Sequence, residues 1–270
     1  MPRATLKVGL AGLGTVGLGV ARRLETGIPG LVLAAVAVRD PDKARRNLPE
    51  AGARIPIMAA EALAQSCDIV VECLPPEVFR KVASSAIEAG KIFMPLSVGQ
   101  LLENWDLVER AKATGARILV PTGALLGLDA VRAAAEGTIR SVAMITRKPP
   151  NGLEGAPYLV ARGISLKDLE APLKIFDGSA RDGARGFPAN VNVAAALSLA
   201  GIGPDKTRLE IWADPAIDRN THRIEVDADT ARFSMTIEGV PSENPRTGRI
   251  VPLSVIAALR GLVAELKVGT

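Results

Sequence analysis

The feature that most constrains this chain lies near its start. A largely apolar run, Leu6-Lys7-Val8-Gly9-Leu10-Ala11, leads directly into Gly12-Leu13-Gly14-Thr15-Val16-Gly17, and a helical pattern follows from Thr15 to about Leu24. Alone, a G-x-G-x-x-G string says little; between a strand and a helix it specifies a turn that few folds use. The first glycine permits the tight turn, the second lets a ligand's phosphates approach the backbone, and the third lets helix and strand pack closely. The helix N-terminus then offers N–H groups and a positive dipole end to an anion. The expectation is a Rossmann domain holding a dinucleotide on Gly12, Gly14, Thr15, Val16 and Gly17.

The next hundred residues agree with that reading. Strands are predicted at Leu31–Val38, Ile69–Cys73, Ile92–Met94 and Ile118–Val120, with a helix over Glu77–Ala89 after Pro75-Pro76. Strands alternating with helices over short connections imply a parallel sheet. Composition supports the same class: 48% of residues are hydrophobic but only 3% aromatic, so the core is aliphatic. Strands covered on both faces are built from such residues.

After Pro121 the pattern changes. A helix is predicted from Leu126 to Glu136 and a strand over Val142–Thr146, running into Arg147-Lys148-Pro149-Pro150. Residues 151–187 read as loop-rich, and Pro188 opens a helix through Ala200. Three alternating stretches follow, around Leu209–Ala213, His222–Val226 and Ala231–Ile237. They imply an antiparallel sheet with one covered and one polar face. A last amphipathic helix spans Leu253–Leu266. The expected class is α/β: a Rossmann domain over 1–121, and an α+β substrate domain with a mostly antiparallel sheet over 122–245. The helix within 246–270 is expected to return to the first domain.

Charge and cysteine content narrow the partners. The net charge is +4, and the chain has one Tyr and two Trp. Nucleic-acid binding calls for a basic stripe or an aromatic platform, and neither is visible. No apolar run is long enough for a membrane span. The two cysteines, Cys67 and Cys73, fit neither a zinc pattern nor a secretory disulfide framework, so a reduced cytoplasmic compartment and no metal are expected.

Cofactor choice is written at the end of the second strand, where an acidic residue favours NAD by binding the ribose hydroxyls. Here the strand ends Val38-Arg39-Asp40. Arg39 can take a 2′-phosphate, which leans the choice towards NADP or dual use, while Asp40 can serve a 2′-hydroxyl.

His222 is the only histidine. It shares parity with Ile224 and Val226 and so faces the covered side of its sheet. An imidazole has the intrinsic pKa for proton transfer near neutrality. Arg147 and Lys148 can bind a carboxylate, and Asn190 sits where a helix's first amides can orient a polar group.

Several blocks together resemble the L-aspartate dehydrogenase family. They are Pro121-Thr122-Gly123-Ala124-Leu125-Leu126-Gly127-Leu128-Asp129, Thr146-Arg147-Lys148-Pro149-Pro150, Phe187-Pro188-Ala189-Asn190-Val191-Asn192-Val193-Ala194 and Asp214-Pro215. Arg219-Asn220-Thr221-His222-Arg223-Ile224 and Asn244-Pro245-Arg246-Thr247-Gly248 complete the set. The resemblance covers essentially the whole chain in order. It implies a two-domain homodimer that interconverts L-aspartate with iminosuccinate, hence oxaloacetate and ammonia, using NAD or NADP. By the same resemblance Ala124 and Asn190 contact the nicotinamide side and His222 is the catalytic histidine. The substrate-side candidates are then Arg147, Lys148, Asn190 and Asn192. Two stretches depart from the family pattern, Glu72-Cys73-Leu74-Pro75-Pro76 and Ser97-Val98-Gly99-Gln100-Leu101, both at strand ends where the substrate should meet the cofactor. They keep open an imine or amino-acid reductase with another substrate. A non-catalytic dinucleotide-binding regulator is the remaining alternative. Dihydrodipicolinate reductase needs paired histidines that this chain lacks.

Overall fold

The structure is a computed structural model in which residues 4–48, 54–188, 191–243 and 247–269 are described. The chain divides into two compact units, residues 1–121 with 252–267, and residues 122–251 with 268–270.

The first unit is a five-stranded parallel sheet of β1 (Leu6–Ala11), β2 (Leu31–Ala37), β3 (Ile69–Glu72), β4 (Ile92–Pro95) and β5 (Arg117–Ile118). Its order is β2-β1-β3-β4-β5, and every pairing is parallel. The order reverses between β1 and β3, so the crevice at their carboxyl ends is the switch point where such sheets bind ligands. The connections carry α1 (Thr15–Glu25), α2 (Pro41–Asn47), α3 (Leu63–Ser66), α4 (Pro76–Glu88), α5 (Val98–Glu103) and α6 (Trp105–Thr114). All four residues of β3 are buried, as a central strand covered on both faces requires. α4 buries Phe79, Val82, Ala83, Ala86 and Ile87, with the Phe79 ring edge-on to Phe93 at 5.7 Å between centroids.

The second unit is a five-stranded mixed sheet of β6 (Ile139–Lys148), β7 (Leu173–Ser179), β8 (Arg208–Ala213), β9 (Asn220–Ala228) and β10 (Arg232–Gly239). Among the described residues its α-helices are α7 (Leu128–Ala135), α8 (Pro157–Arg162), α9 (Ala180–Gly186) and α10 (Asn192–Ala200). The last helix, α11 (Ile250–Val263), brings Val255 and Leu259 into the core of the first unit beside Val20, Leu24 and Leu10.

The sheet order β10-β9-β6-β8-β7 corrects two expectations. β8 does not pair with β9; β6 lies between them, antiparallel to β9 and parallel to β8. A parallel pair needs a long crossover, and the segment between β6 and β8 supplies one. That segment is also not a loop, since it contains α8, β7 and α9. β7 pairs antiparallel with β8, but a register shift between Lys174 and Phe176 breaks its period-two pattern and hides it from a reading of alternation. α10 is described from Asn192 onwards with Val191 as its N-cap, rather than from Pro188. One face of the sheet is apolar and buried, through Val142, Met144, Leu209, Ile211, Ile224 and Val226.

Candidate active site

The turn after β1 is shaped by its glycines. Gly12 has φ +102°, and a Cβ there would stand 2.5 Å from the Cys73 carbonyl oxygen. A Cβ at Gly17 would overlap the Gly12 carbonyl oxygen, so α1 can rest on the turn only without a side chain at that position. Gly14 is different, for no atom lies within 4 Å of where its Cβ would be. It is the N-cap of α1 yet has no capping side chain, and the first turn of α1 carries no acidic residue. The first helical bond joins Leu18 N–H to the Gly14 carbonyl at 2.8 Å, which leaves the N–H groups of Thr15, Val16 and Gly17 ahead of it for other partners. Open space over Gly14 and this set of donors fit a dinucleotide pyrophosphate.

Arg39 lies just past the end of β2 and is exposed, with no hydrogen-bond or ion-pair partner among the described residues. Its neighbour Asp40 is committed locally. The Asp40 carboxylate caps α2 by accepting from the Lys43 N–H at 2.9 Å, with Pro41 in the first helical turn.

In the second unit the covered face of the sheet turns polar at one end. Thr146, Lys148, Asn220 and His222 are all buried there. Their positions follow from pleat and register. Thr146 and Lys148 share the parity of Val142 and Met144 on β6, and Thr146 lies directly opposite His222 on β9. Thr146 Oγ1 and His222 Nδ1 are 3.2 Å apart, a hydrogen bond that orients the ring in either neutral tautomer. When Nδ1 carries the proton and donates it to the hydroxyl, Nε2 is the basic nitrogen. Burial, and then the positive charge of Lys148, push the His222 pKa down to about 3, so the imidazole is neutral at physiological pH.

The same pleat separates Arg147 from Lys148. Both are candidates for binding a carboxylate, but successive residues of a strand point to opposite faces. Lys148 is on the His222 face. Arg147 is half-exposed on the other, with its guanidinium 4.8 Å from the Trp212 ring centroid and 3.1 Å from the Asp214 carboxylate. Ala124 is half-buried in the turn before α7 and borders Gly248. Asn192 opens α10. Asn190 lies outside the described residues, as do Asn244, Pro245 and Arg246. Thr146 and Asn220 lie in blocks that carry the family resemblance, but nothing in the sequence gives either of them a role. Only the strand register, which pairs Thr146 with His222, shows what Thr146 does. Among the described residues no cluster of His, Cys, Asp or Glu is arranged to hold a metal ion, and no helix is long and apolar enough to cross a membrane.

Comparison with known proteins extends these observations over the full length. Residues 129–262 match the family model described as aspartate dehydrogenase, C-terminal, and residues 12–121 match that of homoserine dehydrogenase, NAD binding domain. The L-aspartate dehydrogenase of Bradyrhizobium diazoefficiens is 56% identical over 267 residues, covering 98% of this chain and 94% of the relative. L-Aspartate dehydrogenase 3 of Bordetella bronchiseptica is 51% identical over 269 residues and 99% of each chain. Among solved structures, the aspartate dehydrogenase of Thermotoga maritima shares the fold, with a TM-score of 0.72 at 22% identity over 98% of this chain and 99% of that one. An NAD-binding domain followed by an aspartate dehydrogenase C-terminal domain, with relatives identical at more than half their positions, leads to one conclusion: this chain belongs to the L-aspartate dehydrogenase family.

Proposed function

We propose that this chain is an NAD(P)-dependent L-aspartate dehydrogenase in which His222 is the general acid and base. The observation that carries this reading is the buried imidazole, hydrogen-bonded to Thr146, on the covered sheet face of a chain from this family. In the proposed division of labour, the first unit binds the dinucleotide through Gly12, Gly14, Thr15, Val16 and Gly17, and the second binds and handles the amino acid.

When bound, the nicotinamide supplies the redox chemistry by accepting a hydride from the substrate α-carbon. Everything else falls to the protein. L-Aspartate is mostly an ammonium ion at neutral pH, and its nitrogen must lose a proton before the α-carbon can release a hydride. A neutral imidazole can take that proton, and one already protonated cannot. Once iminosuccinate has formed and His222 has passed that proton to solvent, the neutral imidazole can take a proton from the water that adds to the imine carbon and return it to the nitrogen as that leaves, giving oxaloacetate and ammonia. Lys148 offers an ammonium group to a substrate carboxylate. The two carboxylates of the substrate beside His222 oppose the effect of Lys148 and raise the imidazole pKa, which makes it a stronger base in the complex than in the free enzyme.

The test is oxidation of a panel of amino acids, read from the absorbance of reduced cofactor. The proposal expects L-aspartate to have the highest kcat/KM, with L-glutamate lower by at least about 10-fold for its extra methylene. A different best substrate would favour the alternative amino-acid dehydrogenase, and cofactor binding without turnover of any amino acid would favour a regulator.

Two variants probe finer points. Thr146→Val keeps shape but loses the hydroxyl that holds the ring; kcat is expected to fall about 5- to 10-fold, the worth of one neutral hydrogen bond. An unchanged kcat would remove Thr146 from the mechanism. Arg39 is proposed to read the 2′-position. Arg39→Asp is expected to shift the ratio of KM values for NADPH and NADH towards NADH by at least about 10-fold, the scale of a lost charged hydrogen bond. An unmoved ratio would show that cofactor choice is made elsewhere.

A further inference from the structure

Glu72 ends β3, the central strand of the parallel sheet, and its side chain is fully buried. No ion pair engages it among the described residues. Donors converge on its carboxylate from two different turns. Oε1 accepts from the Leu74 N–H at 2.8 Å and from the Ser97 hydroxyl at 3.1 Å, and Oε2 accepts from the Ser97 N–H at 3.0 Å. Burial raises the Glu72 pKa from its ordinary value, and these donors oppose that rise by favouring the anion. A buried carboxylate with no cation beside it is costly, and hydrophobic packing would fill the same space at less cost. Its position explains what it does there.

Leu74 lies in the turn after β3 and Ser97 in the turn after β4, so one side chain ties together two neighbouring strand ends. A third turn leans on the first of these. The Cys73 N–H donates to the Ala11 carbonyl at 2.8 Å, and the Cys73 carbonyl oxygen and the Leu74 side chain are the atoms that a Cβ at Gly12 would strike. The glycine turn therefore takes its wall from the segment that Glu72 holds. All three turns stand at the carboxyl ends of β1, β3 and β4, on either side of the point where the strand order reverses.

We infer that Glu72 is a positioning residue for the dinucleotide: its carboxylate clamps the turns after β3 and β4 and thereby sets the shape of the cofactor crevice. The inference rests on the cofactor-binding reading of the first unit. It requires no contact between Glu72 and the cofactor.

Glu72→Gln tests it. The amide keeps one acceptor oxygen but turns an NH2 group towards the other donors, so either Leu74 or Ser97 loses its partner. Dissociation constants for NADH and NADPH are measured by cofactor fluorescence, melting temperature by calorimetry, and KM for L-aspartate by steady-state kinetics. The expected result is a rise of about 10-fold or more in the cofactor dissociation constant, the scale of a lost hydrogen bond to a charged group, with KM for L-aspartate unchanged. A merely structural role would lower the melting temperature and leave the cofactor constant of the folded protein alone, and that result would overturn the inference. If Glu72→Gln does not fold, Ser97→Ala decides: it removes only the hydroxyl donor and is expected to weaken cofactor binding about 3-fold or more. Wild-type affinity in Ser97→Ala would then overturn the inference. Wild-type protein that binds neither reduced dinucleotide would overturn the cofactor reading itself, and this inference with it.

Discussion

In a His222→Ala variant, kcat falls by about 10²- to 10⁴-fold, the usual contribution of a positioned acid–base group, while affinity for reduced cofactor stays at the wild-type value. The two halves of this result have separate causes. The imidazole is held on the covered face of the second sheet by Thr146, and the glycine turn proposed to bind the cofactor is a feature of the first unit. Alanine also leaves a void where a buried ring stood, since His222 is only 4% exposed. Some loss of stability is therefore expected as well. His222→Gln separates the effects, because it fills much of the volume but cannot accept and return a proton at neutral pH. It should melt closer to wild type than His222→Ala and still lose kcat by the same order. Steady-state kinetics with calorimetry checks both. Unchanged kcat in the glutamine variant would take His222 out of the mechanism.

The second large effect is expected in the first unit, from Gly14→Val. Gly14 has φ −73° and ψ −165°, an extended conformation open to any residue, and nothing lies within 4 Å of its Cβ position. The substitution is expected to leave the melting temperature unchanged. The side chain would, however, stand in the open space where, on the proposed reading, a pyrophosphate meets the N–H groups of α1. Cofactor affinity is expected to fall by about 100-fold or more, or about 2.7 kcal/mol. Gly17→Ala is the contrasting case. Its Cβ would overlap the Gly12 carbonyl oxygen, so it is expected to lower stability as well as affinity. Cofactor titration and calorimetry on the two variants distinguish a glycine kept for the ligand from one kept for the fold. Wild-type affinity in Gly14→Val would mean that the cofactor does not lie across this turn.

How much of this was readable in the sequence depends on how local each feature is. The glycine turn and its strand and helix are contiguous, and each glycine's role follows from sterics within a few residues. The parallel strands were readable as buried runs because both of their faces are covered. The order of the second sheet was not readable, because pairing β6 with both β8 and β9 is decided by residues far apart in the chain. β7 escaped notice because its register shift spoils the alternation by which strands are recognised. The covered side of β9 was legible from Ile224 and Val226, which placed His222 correctly on the buried face. The same parity rule, applied to β6, separates Arg147 from Lys148, although both are candidates for binding a carboxylate. Thr146 and Glu72 were hidden for another reason: each acts through a partner on a different strand or turn, and no spacing in the sequence encodes those contacts.

The central claim is that His222 is a neutral imidazole beside Lys148 and gains basicity when a dicarboxylate binds. Because it is the only histidine in the chain, a single histidine resonance in an isotope-labelled sample reports on it without assignment. The account predicts no histidine titration in the free protein as pH is lowered from about 8 to about 5, well below the ordinary histidine pKa. It predicts that oxidised cofactor with succinate, a dicarboxylate that cannot react, brings the titration up into that range. An ordinary titration near pH 6.5 in the free protein, unmoved by cofactor and succinate, would contradict it.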